Sequence, residues 1–259
     1  MSLQPRSRRA APLPPSGTVR GSEAEHDRER SGMAELRTRI ADEEVVVDPA
    51  GALWLPTSRS LVVSDLHLEK GSSFARRGMF LPPYDTAATL MALAELALRR
   101  NPCRIISLGD SFHDSGGYGR LMEGDRARLS ALQRGREWVW ISGNHDSSLP
   151  ADIGGDIAAE LRSDGLTFRH EPVVREAHGE VAGHLHPAAR VRGRLGSIRC
   201  RAFATDGTRM VLPAFGVLAG GLNILDRAFH PLFSAGTLRA FVISAGRLFP
   251  VAGGALSPD

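Results

Sequence analysis

Apolar positions in this chain come mostly in runs of three to five between polar breaks, as buried strands do, and in two places at helical spacing. Residues 44–47 and 52–55 read as short strands, and 61–64 as a buried strand that delivers Asp65 at its carboxyl end. Across residues 85–100 Ala, Leu and Met recur every three or four positions. Asp85 stands where a cap would, and Asn101-Pro102 stops the pattern, which predicts a helix. Residues 104–108 are the next strand, 121–134 a second helix and 138–142 a third strand. That alternation implies right-handed crossovers and a mostly parallel sheet, with functional groups gathered beyond the carboxyl ends of its strands.

After His145 the pattern changes to strand-like runs near 166–168, 180–182, 197–204, 209–212, 238–244 and 247–251, with Asp206-Gly207 as a hairpin turn. Residues 1–32 mix Pro, Ser, Arg and Glu without apolar periodicity and read as a disordered tail, so that Met33 is a candidate start. Residues 40–253 are expected to form one domain.

Composition changes this picture little. The 28 Gly and 16 Pro suit a scaffold of strands and loops. Cys103 and Cys200 are far apart in apolar surroundings and read as buried free thiols of a reducing, cytoplasmic compartment. The longest apolar run, 211–225, is broken by Pro213 and three glycines, so no membrane span is expected. The pI of 9.4 accompanies a net charge of only +3. Arg6, Arg8, Arg9, Arg20, Arg28 and Arg30 outnumber Glu23, Glu25, Asp27 and Glu29, so the tail supplies +2 of it. Attraction to phosphate must therefore come from local patches rather than a global field.

Candidate chemistry is concentrated between residues 65 and 186, which hold seven of the nine histidines. Asp65-Leu66-His67 at a strand end lets two side chains converge on one cation, although such a pair alone is also common in plain structural roles. In Gly109-Asp110 the glycine permits close backbone approach and the carboxylate can bridge two cations. Gly143-Asn144-His145-Asp146 is sharper. An amide oxygen is an uncommon ligand, and the adjacent His145 would point toward substrate, with turn formation as the alternative. Gly183-His184-Leu185-His186 sets two imidazoles on one side of an extended segment, where a surface pair is the alternative, and His170 alone would read as structural. Carboxylate, imidazole and amide donors without thiolates suit two divalent cations rather than a structural zinc knot.

In this order the segments DxH, GD, GNH(D/E), H and GHxH resemble the signature of the calcineurin-like metallophosphoesterase superfamily. The resemblance implies an α/β, four-layer αββα metallophosphoesterase sandwich, two mixed β-sheets flanked by helices, with two divalent metal ions, most often manganese, with iron or zinc as alternatives. It makes Asp65, His67 and His186 ligands of the first metal, Asp110 the bridge, and Asn144, His170 and His184 ligands of the second. His145 becomes the catalytic residue that protonates the leaving alkoxide. One position departs: where the superfamily often has GDxxD, this chain has His113 in place of the second Asp, so what orients His145 is open, with Asp114 or Asp146 as substitutes.

The run from Asp65 to Gly71, with Ser73-Phe74, Arg77-Gly78 and residues 212–216, is further similar to the bacterial ligase-associated DNA damage response endonucleases. That implies a phosphodiesterase acting on DNA or nucleotide phosphodiesters beside an ATP-dependent DNA ligase, a helicase and an exonuclease-like protein. Arg190, Arg192, Arg194, Arg199 and Arg201 follow the last motif without an intervening acid. Arg192 and Arg194 are therefore candidate substrate contacts, a solvated strand face being the alternative. Lys70, Arg76 and Arg77 are a second candidate edge, with solvated loop charges as the alternative, and His113 is a further candidate contact. The rival functions are a hydrolase of small cyclic or dinucleotide diesters and a non-catalytic repair scaffold.

Overall fold

Two β-sheets packed face to face carry the site on one shared edge. The computed structural model describes residues 33–175, 177–193, 196–233 and 236–259; the expected tail 1–32 and Arg194 lie outside the described residues. The first sheet runs in chain order: β1 (Leu36–Ile40), β2 (Glu43–Asp48), β3 (Ala52–Leu55), β4 (Ser60–Val63), β5 (Arg104–Leu108), β6 (Glu137–Ile141) and β7 (Asp156–Ala158). Antiparallel pairing from β1 to β4 gives way to parallel pairing from β4 to β7. Between the parallel strands lie α1 (Lys70–Ala75), α2 (Asp85–Arg100), α3 (Gly117–Arg120) and α4 (Glu123–Gln133). Asp85 opens α2, but its carboxylate accepts from Gly71 N at 3.0 Å instead of capping the helix.

The second sheet holds β8 (Glu160–Ser163), β9 (Leu166–Arg169), β10 (Glu180–Ala182), β11 (Pro187–Gly193), β12 (Gly196–Thr205), β13 (Arg209–Val211), β14 (Leu222–Asn223), β15 (Arg239–Ser244), β16 (Arg247–Ala252) and β17 (Leu256–Ser257). Its order is β14-β11-β12-β13-β10-β9-β8, with β15 on β12 and β16 beyond. The Asp206-Gly207 turn joins β12 to β13 as expected, and Asp206 Oδ1 accepts from Thr208 N and Arg209 N.

The inner faces interdigitate: Val62, Ile106, Leu108, Val139 and Ile141 of the first sheet meet Phe168, Val181, Phe203, Met210 and Phe241 of the second. On the outside of the first sheet, Leu90, Leu93, Leu96 and Ala97 of α2 and Leu129 and Leu132 of α4 cover Leu61, Val63, Ile105, Trp138 and Trp140. The outside of the second sheet is covered differently. No α-helix follows α4 among the described residues. Instead, turns carrying Ile224, Phe229, Leu232 and Phe233 fill the space above Ala189, Ala202, Ala204 and Ala240. Small strand residues leave room for large side chains from a segment in which Asp226 makes a local turn and Pro231 interrupts any helix. The fourth layer of the sandwich is thus turns rather than helix. The two thiols are free but not buried: Cys103 is exposed just ahead of β5 and Cys200 is half-buried. No helix among the described residues is long and apolar enough to cross a membrane.

Candidate metal centre

Each ligand candidate follows the carboxyl end of a strand: Asp65 and His67 after β4, Asp110 after β5, Asn144 after β6, His170 after β9, His184 and His186 after β10. Parallel pairing of β4, β5 and β6, and of β9 with β10, aligns these ends on one edge. There the side chains form two clusters, Asp65 with His67 and His186, and Asp110 with His170 and His184. In the first, His67 Nε2 lies 3.2 Å from His186 Nε2, which lies 3.2 Å from Asp65 Oδ1. In the second, His170 Nε2 lies 3.1 Å from His184 Nδ1, 2.9 Å from Asn144 Oδ1 and 3.4 Å from Asp110 Oδ1. Donors bound at 2.0–2.2 Å to one cation stand about 3–3.4 Å apart, so these spacings match atoms that share a cation.

The donor chemistry fits the same reading. Asp65 Oδ1 is buried without a hydrogen-bond partner, a cost that a cation would remove. His170 Nδ1 lies 2.8 Å from the Leu108 carbonyl, an acceptor only, so Nδ1 carries the proton and Nε2 offers its lone pair inward. Burial, together with the charges of His186, His113 and His145, pushes His67 down to about 3 against the pull of Asp65, so it is neutral at physiological pH. Burial and His170 likewise lower His184. Burial would raise the Asp65 carboxyl, but the nearness of His186 above all, with His170 and Ser64, holds it below the ordinary range. His186 moves up in exchange: burial opposes the shift and Asp65 overcomes it.

Backbone geometry makes this convergence. Asp65, His67, Asp110, His184 and His186 all have left-handed φ, between 43° and 68°, which costs non-glycine residues about 1–3 kcal/mol each. Left-handed turns directly after a strand swing successive side chains toward one point. Gly109, at φ 76°, is also required by space, since a Cβ there would come within 2.5 Å of the His170 ring.

Sequence reasoning left the orientation of His145 open, and the structure supplies an answer. His145 Nδ1 lies 2.8 Å from the backbone carbonyl of His113, which fixes the proton on Nδ1 and leaves Nε2 free. Neither carboxylate considered takes part. Asp114 is clamped by Arg120 at 2.8 Å, and buried Asp146 accepts from Asp110 N, Phe112 N and Gly143 N at 3.0–3.1 Å, tying two ligand loops together. The His113 ring stacks on His145, with centroids 5.2 Å apart, and its Nδ1 is 3.5 Å from His67 Nδ1. His67, His113 and His145 thus form a third group of convergent ring nitrogens, but one without a carboxylate. No residue-type signal marks the carbonyls of Leu108 and His113 in a sequence. Ser64, which donates to Asp65 Oδ2 at 2.5 Å, was likewise missed.

The candidate substrate contacts scatter. Lys70 sits at the start of α1 with Nζ 5.9 Å above the Phe74 ring. Arg192 is exposed at the end of the β11–β12 hairpin, opposite Ser197. Its basic neighbours are already engaged: Arg190 with Ser197, Arg199 with Asp259, and half-buried Arg201 with the Ala214 carbonyl.

The sequence matches the calcineurin-like phosphoesterase family over residues 58–209. Among solved structures, the nuclease MPE of Pseudomonas putida superposes with a TM-score of 0.65 at 25% identity, covering 84% of this chain and 100% of that one. The E. coli phosphoesterase Yfce matches at 14% identity and a TM-score of 0.37, covering 74% of this chain and 98% of its own. No curated protein sequence matches significantly.

Proposed function

Because the chain belongs to the calcineurin-like phosphoesterase family, we propose that it is a two-metal phosphodiesterase that cuts polynucleotide backbones. The carrying observation is the pair of adjacent clusters, three ligand candidates in each, with His145 beside them and 40% exposed. Asp65, His67 and His186 would hold one cation, and Asp110, Asn144, His170 and His184 the other, with manganese the first choice for this donor set. Two such cations supply Lewis acidity and an acidified water for in-line displacement at phosphorus.

The chain's own residues do the rest. His145, its Nδ1 proton held by the His113 carbonyl, presents Nε2 at 3.9 Å from Asp110 Oδ2; once Nε2 has also taken a proton from solvent, the imidazolium can give that proton to the leaving alkoxide and return to the neutral ring. Backbone N–H of His145 donates to Asp110 Oδ1 at 2.9 Å and holds that carboxylate in place. The likeness to a nuclease favours a polynucleotide over a small diester, and a DNA-repair setting with a ligase is the narrower form of the proposal. The complete ligand set favours an enzyme over a scaffold.

Manganese-dependent hydrolysis of an aryl phosphodiester, followed by a panel of single-stranded, duplex and cyclic nucleotides, tests this. Turnover of the aryl diester and of an oligonucleotide is expected. Turnover confined to cyclic or dinucleotides would move the assignment to a small-diester hydrolase, and no turnover of any diester would leave the scaffold.

A further inference from the structure

Residues 76–84, Arg-Arg-Gly-Met-Phe-Leu-Pro-Pro-Tyr, link α1 to α2 and belong neither to the ligand clusters nor to the core. Phe80 is 88% exposed and Tyr84 72%, and they are the only exposed Phe, Tyr or Trp side chains among the described residues. Every other Phe, Tyr and Trp is at least half-buried. Two bare rings four residues apart therefore need an explanation.

The segment is held rather than loose. Arg77 N and Met79 N both donate to the Phe74 carbonyl, at 2.9 and 3.1 Å. At the far end Asp85 is tied to Gly71 N, and Pro82 and Pro83 fix two φ angles between these anchors. Rings presented by a stiff segment lose little freedom when a ligand covers them.

Charge lies beside them. Arg76 and Arg77 line a cleft of about 420 Å³ with Ser73, Asp114, Ser115 and Gly116. The cleft's single carboxylate, Asp114, is already paired with both terminal nitrogens of Arg120. Arg76 and Arg77 are exposed and form no ion pair among the described residues. The cleft adjoins the metal centre, since Asp114 follows His113, whose ring contacts those of His145 and Phe74 at 5.2 and 5.5 Å.

We propose that residues 76–84 form the track for the substrate strand beside the metal centre, with Arg76 and Arg77 gripping flanking phosphates and Phe80 and Tyr84 stacking on bases. Free guanidiniums interleaved with exposed rings are the surface that unpaired bases on a phosphate backbone require, and paired bases offer no free face to such rings. The track rests on the phosphodiesterase reading of the metal centre and adds to it which surface receives the polymer.

The test compares manganese-loaded wild type with Phe80→Ala/Tyr84→Ala, Arg76→Ala/Arg77→Ala and Phe80→Trp, on a labelled single-stranded oligonucleotide and on an aryl phosphodiester. The ratio of oligonucleotide cleavage to aryl-diester turnover is expected to fall about tenfold in each double variant, through KM. The arginine variant should also lower the salt slope of oligonucleotide binding by about one to two. Phe80→Trp should retain the ratio, and its emission should be quenched by the oligonucleotide, since Trp54, Trp138 and Trp140 are buried. An unchanged ratio in both double variants, with wild type active on the oligonucleotide, overturns the track alone. So does a Phe80→Ala/Tyr84→Ala protein that loses self-association but keeps the ratio, because the rings would then join copies of the chain. Wild type active on the aryl diester but on no oligonucleotide overturns the polynucleotide reading and the track together.

Discussion

The ligand-bearing loops and the arginine-bearing β11–β12 hairpin adjoin in sequence, yet their side chains do opposite things. Asp65, His67 and His186, and Asp110, His170 and His184, turn their heteroatoms toward two common points. Arg190, Arg199 and Arg201 each turn to a separate partner: a serine, the C-terminal aspartate and a main-chain carbonyl. The difference lies in the backbone. Left-handed turns after parallel strands converge side chains, whereas regular antiparallel strands set them side by side at fixed spacing, where each pairs locally. Residues of one type crowded in sequence make a site only where the backbone leaves them facing one another.

The largest effect should come from breaking convergence. Asp65→Ala is expected to abolish manganese-dependent aryl-diester hydrolysis and to lower bound metal per chain, read by elemental analysis; full activity in that variant would remove Asp65 from the centre. His145→Ala should lower kcat by about 10²–10⁴-fold with metal content intact. Loss of metal in His145→Ala would instead make it a ligand. Asp146→Ala should leave three buried N–H groups unpaired and cost on the order of 2–4 kcal/mol, seen as a lower Tm, with an unchanged Tm contradicting its role as a tie between loops.

On the arginine side effects should be smaller and should divide by partner. Arg201→Ala, half-buried and bonded to Ala214, should cost about 1–2 kcal/mol of stability, whereas exposed Arg192→Ala should cost nothing measurable. If Arg192→Ala lowers the salt slope of DNA binding by about one, the hairpin end touches phosphate as well.

Acid should act too, through the imidazoles that burial keeps neutral. Burial, chiefly, holds His67 at about 3 and His113 at about 4, against 6.5 for an ordinary histidine. Unfolding then takes up protons, so the stability these two contribute is complete above pH 6.5 and is lost as pH falls toward 4 and then 3. His186, shifted upward, acts in the opposite sense. Denaturant titrations of chelator-treated protein at pH 7 and pH 5 should show the loss, and equal stability at both would contradict the shifts.

Much of the first sheet was legible. Residues 52–55 and 104–108 are strands to the residue, and the helix over 85–100 has the expected ends. Apolar runs and a long amphipathic stretch carry their own period, which needs no tertiary contact to be seen. The second sheet was read less completely. β11, with Pro187 and two arginines, has no clean alternation, and β8 and β14 are short and polar or isolated, held only by pairing with neighbours. The short α1, with Gly71 and two serines, lacks helical periodicity and is braced by buried Glu69, which accepts from Ser72 and Thr86.

The sequence alone determined which chemistry is present: seven candidate ligands and one further histidine, in an order and spacing tied to strand ends. It could do so because residue type and proximity to a strand terminus are local properties. The division of the ligands between two cations came with the family resemblance, whereas only the tertiary structure decided how closely the ligands of each cluster approach one another, that a backbone carbonyl rather than a carboxylate orients His145, and which arginines are already engaged. Those are relations between segments as much as 119 residues apart, as with His67 and His186, and no window of sequence contains them.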